Sequence, residues 1–264
     1  VKMGAPDPRI DAPKAANKQV VTDKAALWAY QPISHPRTPD VKAKHWPRDP
    51  IDCFVLSKIE SKGLVSTVDA SPEMLIRRVF IDLTGLPPSE SEVRAFVDAS
   101  ERAHGNQTSS TGSASALDLV VDQLLQKPQF GERWGRYWLD VVRYAESNGN
   151  DGLSRNPSFP HAWRYRDYVI KALNDDVPYD RFITEQIAGD LLPSNSPEEH
   201  DRQVIATGFL AIGSKPAKAM NDNFEMDIVA DQIGAIGSGI MAISVGCARC
   251  HDHKHDPIPA RDYY

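Results

Sequence analysis

The chain has 264 residues, 41% of them hydrophobic, and a formal net charge of −6. That is enough apolar material for a sizeable core, and the acidic balance argues against general affinity for nucleic acid or an anionic membrane surface, a local basic patch aside. No apolar run reaches the roughly eighteen residues of a bilayer span, and three cysteines, Cys53, Cys247 and Cys250, are too few for a disulfide framework.

Residues 1–26 read as a flexible linker without an apolar signal core, so any targeting segment is expected upstream or already removed. Residues 27–50, "LWAYQPISHPRTPDVKAKHWPRDP", are rich in proline and aromatics and read as an extended wrap, because each proline removes a backbone donor and turns its predecessor away from helix. A helix is predicted from Pro50 to a stop at Gly63, with Ile51, Phe54, Val55 and Ile59 on its apolar stripe and Cys53 as a small buried hydrophobe. Ser71 and Pro72 start a second helix that ends at Gly85, and "SESEVRAFVDAS" is a capped third. The polar stretch 104–115 reads as a mobile loop.

"ALDLVVDQLLQ" follows as a helix, and "PQFGERWGRYWLDVVRYAES" as a longer one with Phe130, Trp134, Trp138 and Val142 on one face. After a loop of turn formers, further helices are expected in "WRYRDYVIKALNDDVP", "PYDRFITEQIAGDLLP", "SPEEHDRQVIATGFLAIG" and "NFEMDIVADQIGAIGSGIMAISVG". Trp134, Trp138 and Trp163 are read as core residues. Strand-like alternation is nearly absent. The fold class is therefore mostly α: an irregular multi-helix domain over 27–264, with long Pro-rich connections and a C-terminal Cys-x-x-Cys-His segment.

That segment, Cys247-Ala248-Arg249-Cys250-His251, fits the c-type haem signature. Two thiols three residues apart can reach the two vinyl groups of one porphyrin, and the adjacent His251 then falls beneath the iron as its proximal ligand. Two other readings stay open on the motif alone. The Cys pair with His253 or His255 can bind zinc, although structural zinc sites draw their second ligand pair from further along the chain. A redox-active dithiol is the other, but it lacks the strand-first context of a thioredoxin-like site.

Beyond these five residues, "WAYQPI", "PIDCFVLSKIESKGL", "LIRRVFIDLTGLPP", "FGERWGRYWLDVVRYAESNG", "AWRYRDYVIKALNDDVPYDRF", "EQIAGDLLP", "ATGFLAIG", "EMDIVADQIGAIG" and "GCARCHDHKHDPIPARDYY" resemble the long planctomycete-specific cytochrome c domain family. The resemblance runs from Trp28 to Tyr264. It implies one covalent haem c at Cys247, Cys250 and His251, and an exported, periplasm-like location. It also implies a place within a larger protein beside a neighbouring cytochrome domain, with no established substrate or reaction. The chain departs from the family at His255, where Phe or Tyr is commoner, so no family role is carried to that residue.

The iron's sixth ligand decides between electron transfer and small-ligand chemistry. Met220, Met226 and His161 are candidates, with His35 and His45 as further histidines in the N-terminal wrap, whereas Met241 reads as core packing. His253 is a candidate for a second metal or a hydrogen bond. Arg143, Arg164 and Arg166 are candidates for the haem propionates, since guanidinium matches carboxylate in two parallel hydrogen bonds. The expected function is electron transfer to a redox partner or neighbouring domain. The alternatives are an open-site haem protein that binds or reduces a ligand such as peroxide, and a non-haem interaction module with zinc at the Cys pair.

Overall fold

The computed structural model describes residues 27–105, 111–147, 158–213 and 224–264. These divide into two compact units: Pro39–Ile243, and a smaller unit in which residues 27–38 accompany Ser244–Tyr264. The described chain is mostly helical, and the only β pairing among the described residues is an isolated bridge between Ser147 and Ser158.

In the larger unit the helices start where the sequence caps them. α1 (Pro50–Ser61) opens on the Asp49 carboxylate, which accepts the Asp52 amide. α2 (Pro72–Thr84) opens on Ser71 and ends at Gly85, whose φ of +73° is the left-handed cap that glycine supplies without strain. α3 (Glu90–Gly105) carries a reciprocal cap in which Ser89 and Glu92 each accept the other's amide. α4 (Thr111–Leu125) and α3 take up both ends of the 104–115 stretch expected to be a loop, and residues 106–110 lie outside those described. Helix begun in "ALDLVVDQLL" propagates back through Thr111–Ser115, since elongation costs far less than nucleation.

α2, α3 and α4 close a first core around Ile76, Phe80, Phe96 and Leu124. The second core is built by α5 (Pro128–Val141), α6 (Ala162–Asn174), α7 (Tyr179–Ala188), α8 (Pro197–Ala206), α9 (Gly208–Ala211) and α10 (Phe224–Gly239), and centres on Val142, Tyr165, Val169, Phe182, Phe209 and Ala235. Inside it the Gln186 side-chain oxygen accepts the Trp138 indole N–H from α5 (2.9 Å) and the Tyr165 hydroxyl from α6, and its amide nitrogen donates to the Phe182 carbonyl (3.3 Å), so the buried amide is satisfied.

Several expected core positions turn outward. On α1 only Leu56 is buried, while Ile51 is 72% exposed and Phe54 and Val55 are open too. α1 presents an apolar stripe for which the described residues supply little cover, and Cys53 is half-buried rather than enclosed. Trp134 and Trp163 are also exposed. Met241 follows the end of α10 instead of lying within it, and is 57% exposed.

α5 approaches α6 through Gly131 and Gly135, four residues apart on one face. A Cβ on Gly131 would lie 2.4 Å from the Ile170 carbonyl oxygen. Asn174 clamps the same spot, accepting the Gly131 amide (2.8 Å) and donating to the Pro128 carbonyl (3.2 Å). Gly131→Ala is expected to force the helices apart at a cost of about 1–3 kcal/mol. Urea denaturation measures this, and an unchanged midpoint would show that the approach is slack.

Candidate functional site

The smaller unit holds the Cys-x-x-Cys-His segment. Val245–Arg249 forms a 3-10 helix, and both the Cys250 and the His251 amides point to the Cys247 carbonyl at 3.4 Å. This turn buries Ala248 completely and leaves both thiols free and exposed. The small alanine between the cysteines lets the turn seat against its own unit while the sulfurs face outward.

His251 is exposed, and its Nδ1 lies 2.8 Å from the Asp252 carbonyl oxygen. A carbonyl can only accept, so Nδ1 carries the proton and Nε2 keeps its lone pair. That is the tautomer a metal-ligating imidazole needs, with its orientation fixed by a backbone hydrogen bond.

His253 is buried and its nitrogens are already committed. Nδ1 accepts the amides of Asp256 (2.7 Å) and His255 (3.2 Å), so the ring proton sits on Nε2, 3.2 Å from the Ser244 hydroxyl. The His253 amide reaches the Ile258 carbonyl (2.9 Å), closing the loop over its own ring. The hydrogen bonds His253 makes are to the protein's own groups; a haem propionate or a second metal would have to displace these partners. The Asp252 carboxylate accepts the Ala260 amide (2.8 Å), and the Tyr264 hydroxyl donates to the Arg249 carbonyl (2.9 Å). Tyr30 is tied to the same segment: its hydroxyl is pushed above the ordinary 10.0 by desolvation, then by the charge and hydrogen bond of Asp256. The result is a clasp folded on backbone and side-chain bonds, with His251 on its outer side.

Beside His251 runs a cleft of about 670 Å³, within the size range of small-molecule and cofactor sites. Pro257, Ile258 and Pro259 form its apolar wall, and Lys254 and Arg261 also line it. Among the described residues, no three His, Cys, Asp or Glu side chains converge on a point that could hold a metal ion.

The remaining residues read from sequence lie in the larger unit, except His35 in the smaller and Met220, which is outside the described residues. Arg143 has φ +59° at the end of α5, and its guanidinium binds Asp231 (3.0 Å) and the Ile212 carbonyl (3.4 Å). It is thus a left-handed helix terminus held by a bond to α10. Arg166 pairs with Asp167 (2.9 Å) and, more distantly, Glu146 (3.9 Å), and Arg164 lies over the Trp163 ring at 5.2 Å. His161 is exposed at the start of α6, Met226 is exposed on α10, and His45 is exposed before α1. The larger unit has its own cleft of about 560 Å³ between α6 and α8, lined by Trp163, Tyr168 and Ile205 with charged side chains around them.

Sequence reasoning named a hydrogen bond among the roles of His253 but not the protein groups that take it up, the His255 and Asp256 amides and the Ser244 hydroxyl. The available signal was the turn-forming Asp256-Pro257 pair three residues on, which folds the chain back over the ring.

The fold and site together define a mostly helical chain that carries an exposed Cys-x-x-Cys-His turn on a hydrogen-bonded clasp. A family model described as "PSCyt2: Protein of unknown function (DUF1549)" matches residues 50–264, and the chain belongs to that family. The match begins at the first residue of α1, so the Trp28–Asp49 part of the resemblance lies before it. No curated protein and no solved structure matches the chain. Among the described residues, no helix is long and apolar enough to cross a membrane.

Proposed function

We propose that this chain is an exported c-type cytochrome domain of the planctomycete type, carrying one covalent haem c and passing electrons to a redox partner or neighbouring cytochrome domain. The observation that carries the reading is His251: its Nδ1 proton is held by the Asp252 carbonyl, which leaves Nε2 bare for iron beside two exposed thiols.

Each residue has a distinct task. Cys247 and Cys250 would hold the haem through two thioethers, each thiol contributing both its sulfur and its proton so that no oxidant would be needed. Both thiols must therefore be reduced at attachment. His251 would hold the iron through Nε2, and the Asp252 carbonyl, by accepting the opposite ring proton, would raise that nitrogen's basicity. His253 holds the loop that carries both. Haem bound there supplies a one-electron iron couple.

The test is a pyridine haemochrome spectrum of protein made with the haem c maturation machinery. One thioether-linked haem per chain is expected, surviving acid-acetone extraction and lost in the Cys247→Ser/Cys250→Ser variant. A colourless, folded wild type carrying stoichiometric zinc overturns the reading. Carbon monoxide added to the reduced sample separates an electron-transfer site, which resists it, from an open one that binds it.

A further inference from the structure

A haem iron held by His251 has a second axial position, and the side chains that could fill it divide between the two units. Met226, His161 and His45 belong to the larger unit, whereas His35 belongs to the smaller one, with Cys247, Cys250 and His251. The other imidazoles of the smaller unit are poorly placed for the far face of a porphyrin. His253 is buried with both nitrogens committed. The His255 amide is held by the His253 ring (3.2 Å), in the same short loop that carries His251, so it stays on the proximal side of the plate.

His35 stands on a separate strap, residues 27–38. The strap begins with the 3-10 turn Trp28–Tyr30, and the Tyr30 hydroxyl joins it to the clasp at Asp256. Five residues lead from Tyr30 to His35, a reach of up to about 17 Å, and five lead back from Asp256 to His251. Pro36 keeps His35 in extended backbone and Pro32 stiffens the approach, which lowers the entropy lost when the imidazole is fixed. His35 is exposed and makes no hydrogen bond or ion pair with a described residue, so its ring is open to a ligand. The strap also carries Trp28 at 88% and Ile33 at 100% exposure, apolar surface that a porphyrin face would take out of water.

Resting on the haem reading above, we infer that His35 is the second axial ligand of the iron and that the strap closes over the haem face opposite His251. Two imidazoles then fill the iron's axial positions. That arrangement suits electron transfer, excludes a small ligand, and places the potential below that of a His/Met pair. His35 precedes residue 50, where the family match begins, so the assignment concerns this chain and not the family as a whole.

The experiment is absorption and electron paramagnetic resonance spectroscopy of matured wild type, His35→Ala, His35→Met and His45→Ala/His161→Ala. Wild type is expected to be low-spin in both oxidation states and to take up no carbon monoxide when reduced. His35→Ala should turn the oxidised iron high-spin and let the reduced iron bind one carbon monoxide per haem. His35→Met should stay low-spin, gain the sulfur-to-iron charge-transfer band of a thioether ligand, and show a higher potential. It keeps the assignment testable if another side chain fills the vacated position in His35→Ala. The His45→Ala/His161→Ala variant should keep the wild-type spectrum. Haem attached in all variants, with His35→Ala still low-spin and closed to carbon monoxide and His35→Met lacking the sulfur band, overturns the assignment. So does a wild type that is high-spin or binds carbon monoxide. Both outcomes leave the haem reading standing. A wild type without covalent haem removes the haem reading itself, and this assignment with it.

Discussion

Glu185→Ala is expected to destabilise the larger unit by about 3 kcal/mol, the lower end for breaking a buried ion pair by removing one partner. Glu185 on α7 has no solvent exposure. One carboxylate oxygen accepts from Arg181 (3.0 Å) and Arg202 (2.9 Å), and the other accepts the Tyr168 hydroxyl (3.0 Å). Burying that charge is tolerable only because its lone pairs are used from α6, α7 and α8 at once. Truncation leaves a buried hydroxyl without its acceptor and two guanidiniums that keep only Glu199, 2.9 Å from Arg181 and 3.8 Å from Arg202. Both arginines reach solvent, so water recovers part of the loss, which is why the lower end applies.

Glu185→Gln, which keeps the shape and loses the charge, should fall between wild type and Ala. Urea denaturation midpoints decide this, and a change for Ala below about 1 kcal/mol would mean the network is replaceable by water. The same region predicts an alkaline limit. Burial, followed for Tyr168 by the Glu185 charge, raises the Tyr165 and Tyr168 hydroxyls well above their ordinary 10.0. The folded state keeps both protons where the unfolded chain releases them, so their contribution is complete below pH 10 and declines as pH rises beyond it.

Helix starts were legible in the sequence because the physics there is local. Asp49-Pro50, Ser71-Pro72 and Ser196-Pro197 each place an amide acceptor before a residue that needs no donor, and each begins a helix. The mostly helical class and the absence of regular strands among the described residues follow from the same periodic reading. What a stripe faces is not local. Ile51, Phe54 and Val55 recur at helical spacing, yet periodicity cannot say whether a neighbour covers them, and here they are exposed. Trp134 and Trp163 turn outward for a related reason: the inner face of α5 is set by Gly131 and Gly135, which a scan for apolar residues passes over.

The site divides the same way. Cys247, Cys250 and His251 stand out as three chemically rare side chains in five residues. The helical arginines could not be assigned from pattern, because the partner of Arg143 is Asp231, 88 positions later on another helix. The cations of the cleft sit in a short irregular segment with no periodicity to read. Their placement depends on the turn that brings Ile258 back to His253.

That turn makes His253 the second large effect. His253→Ala is expected to open the clasp locally at a cost of about 2–4 kcal/mol, since it leaves two amides without an acceptor and the Ser244 hydroxyl without its ring partner. The measurement is native-state hydrogen exchange at the His255 and Asp256 amides, which should quicken by roughly 30-fold or more. His253→Asn can accept but cannot span both ends of the ring, so it should recover only part of the protection. His251→Ala provides the contrast. Its ring is exposed and bonds the Asp252 carbonyl, so the same two amides should exchange at the wild-type rate. Unchanged exchange in His253→Ala would mean that the Asp252–Ala260 and Tyr264–Arg249 bonds hold the segment without the imidazole. Quickening in both variants would mean that the outer histidine braces the loop as well as presenting Nε2. The expected split, a buried histidine that builds the loop and an exposed one free to bind, is what lets two residues of the same type two positions apart do different work.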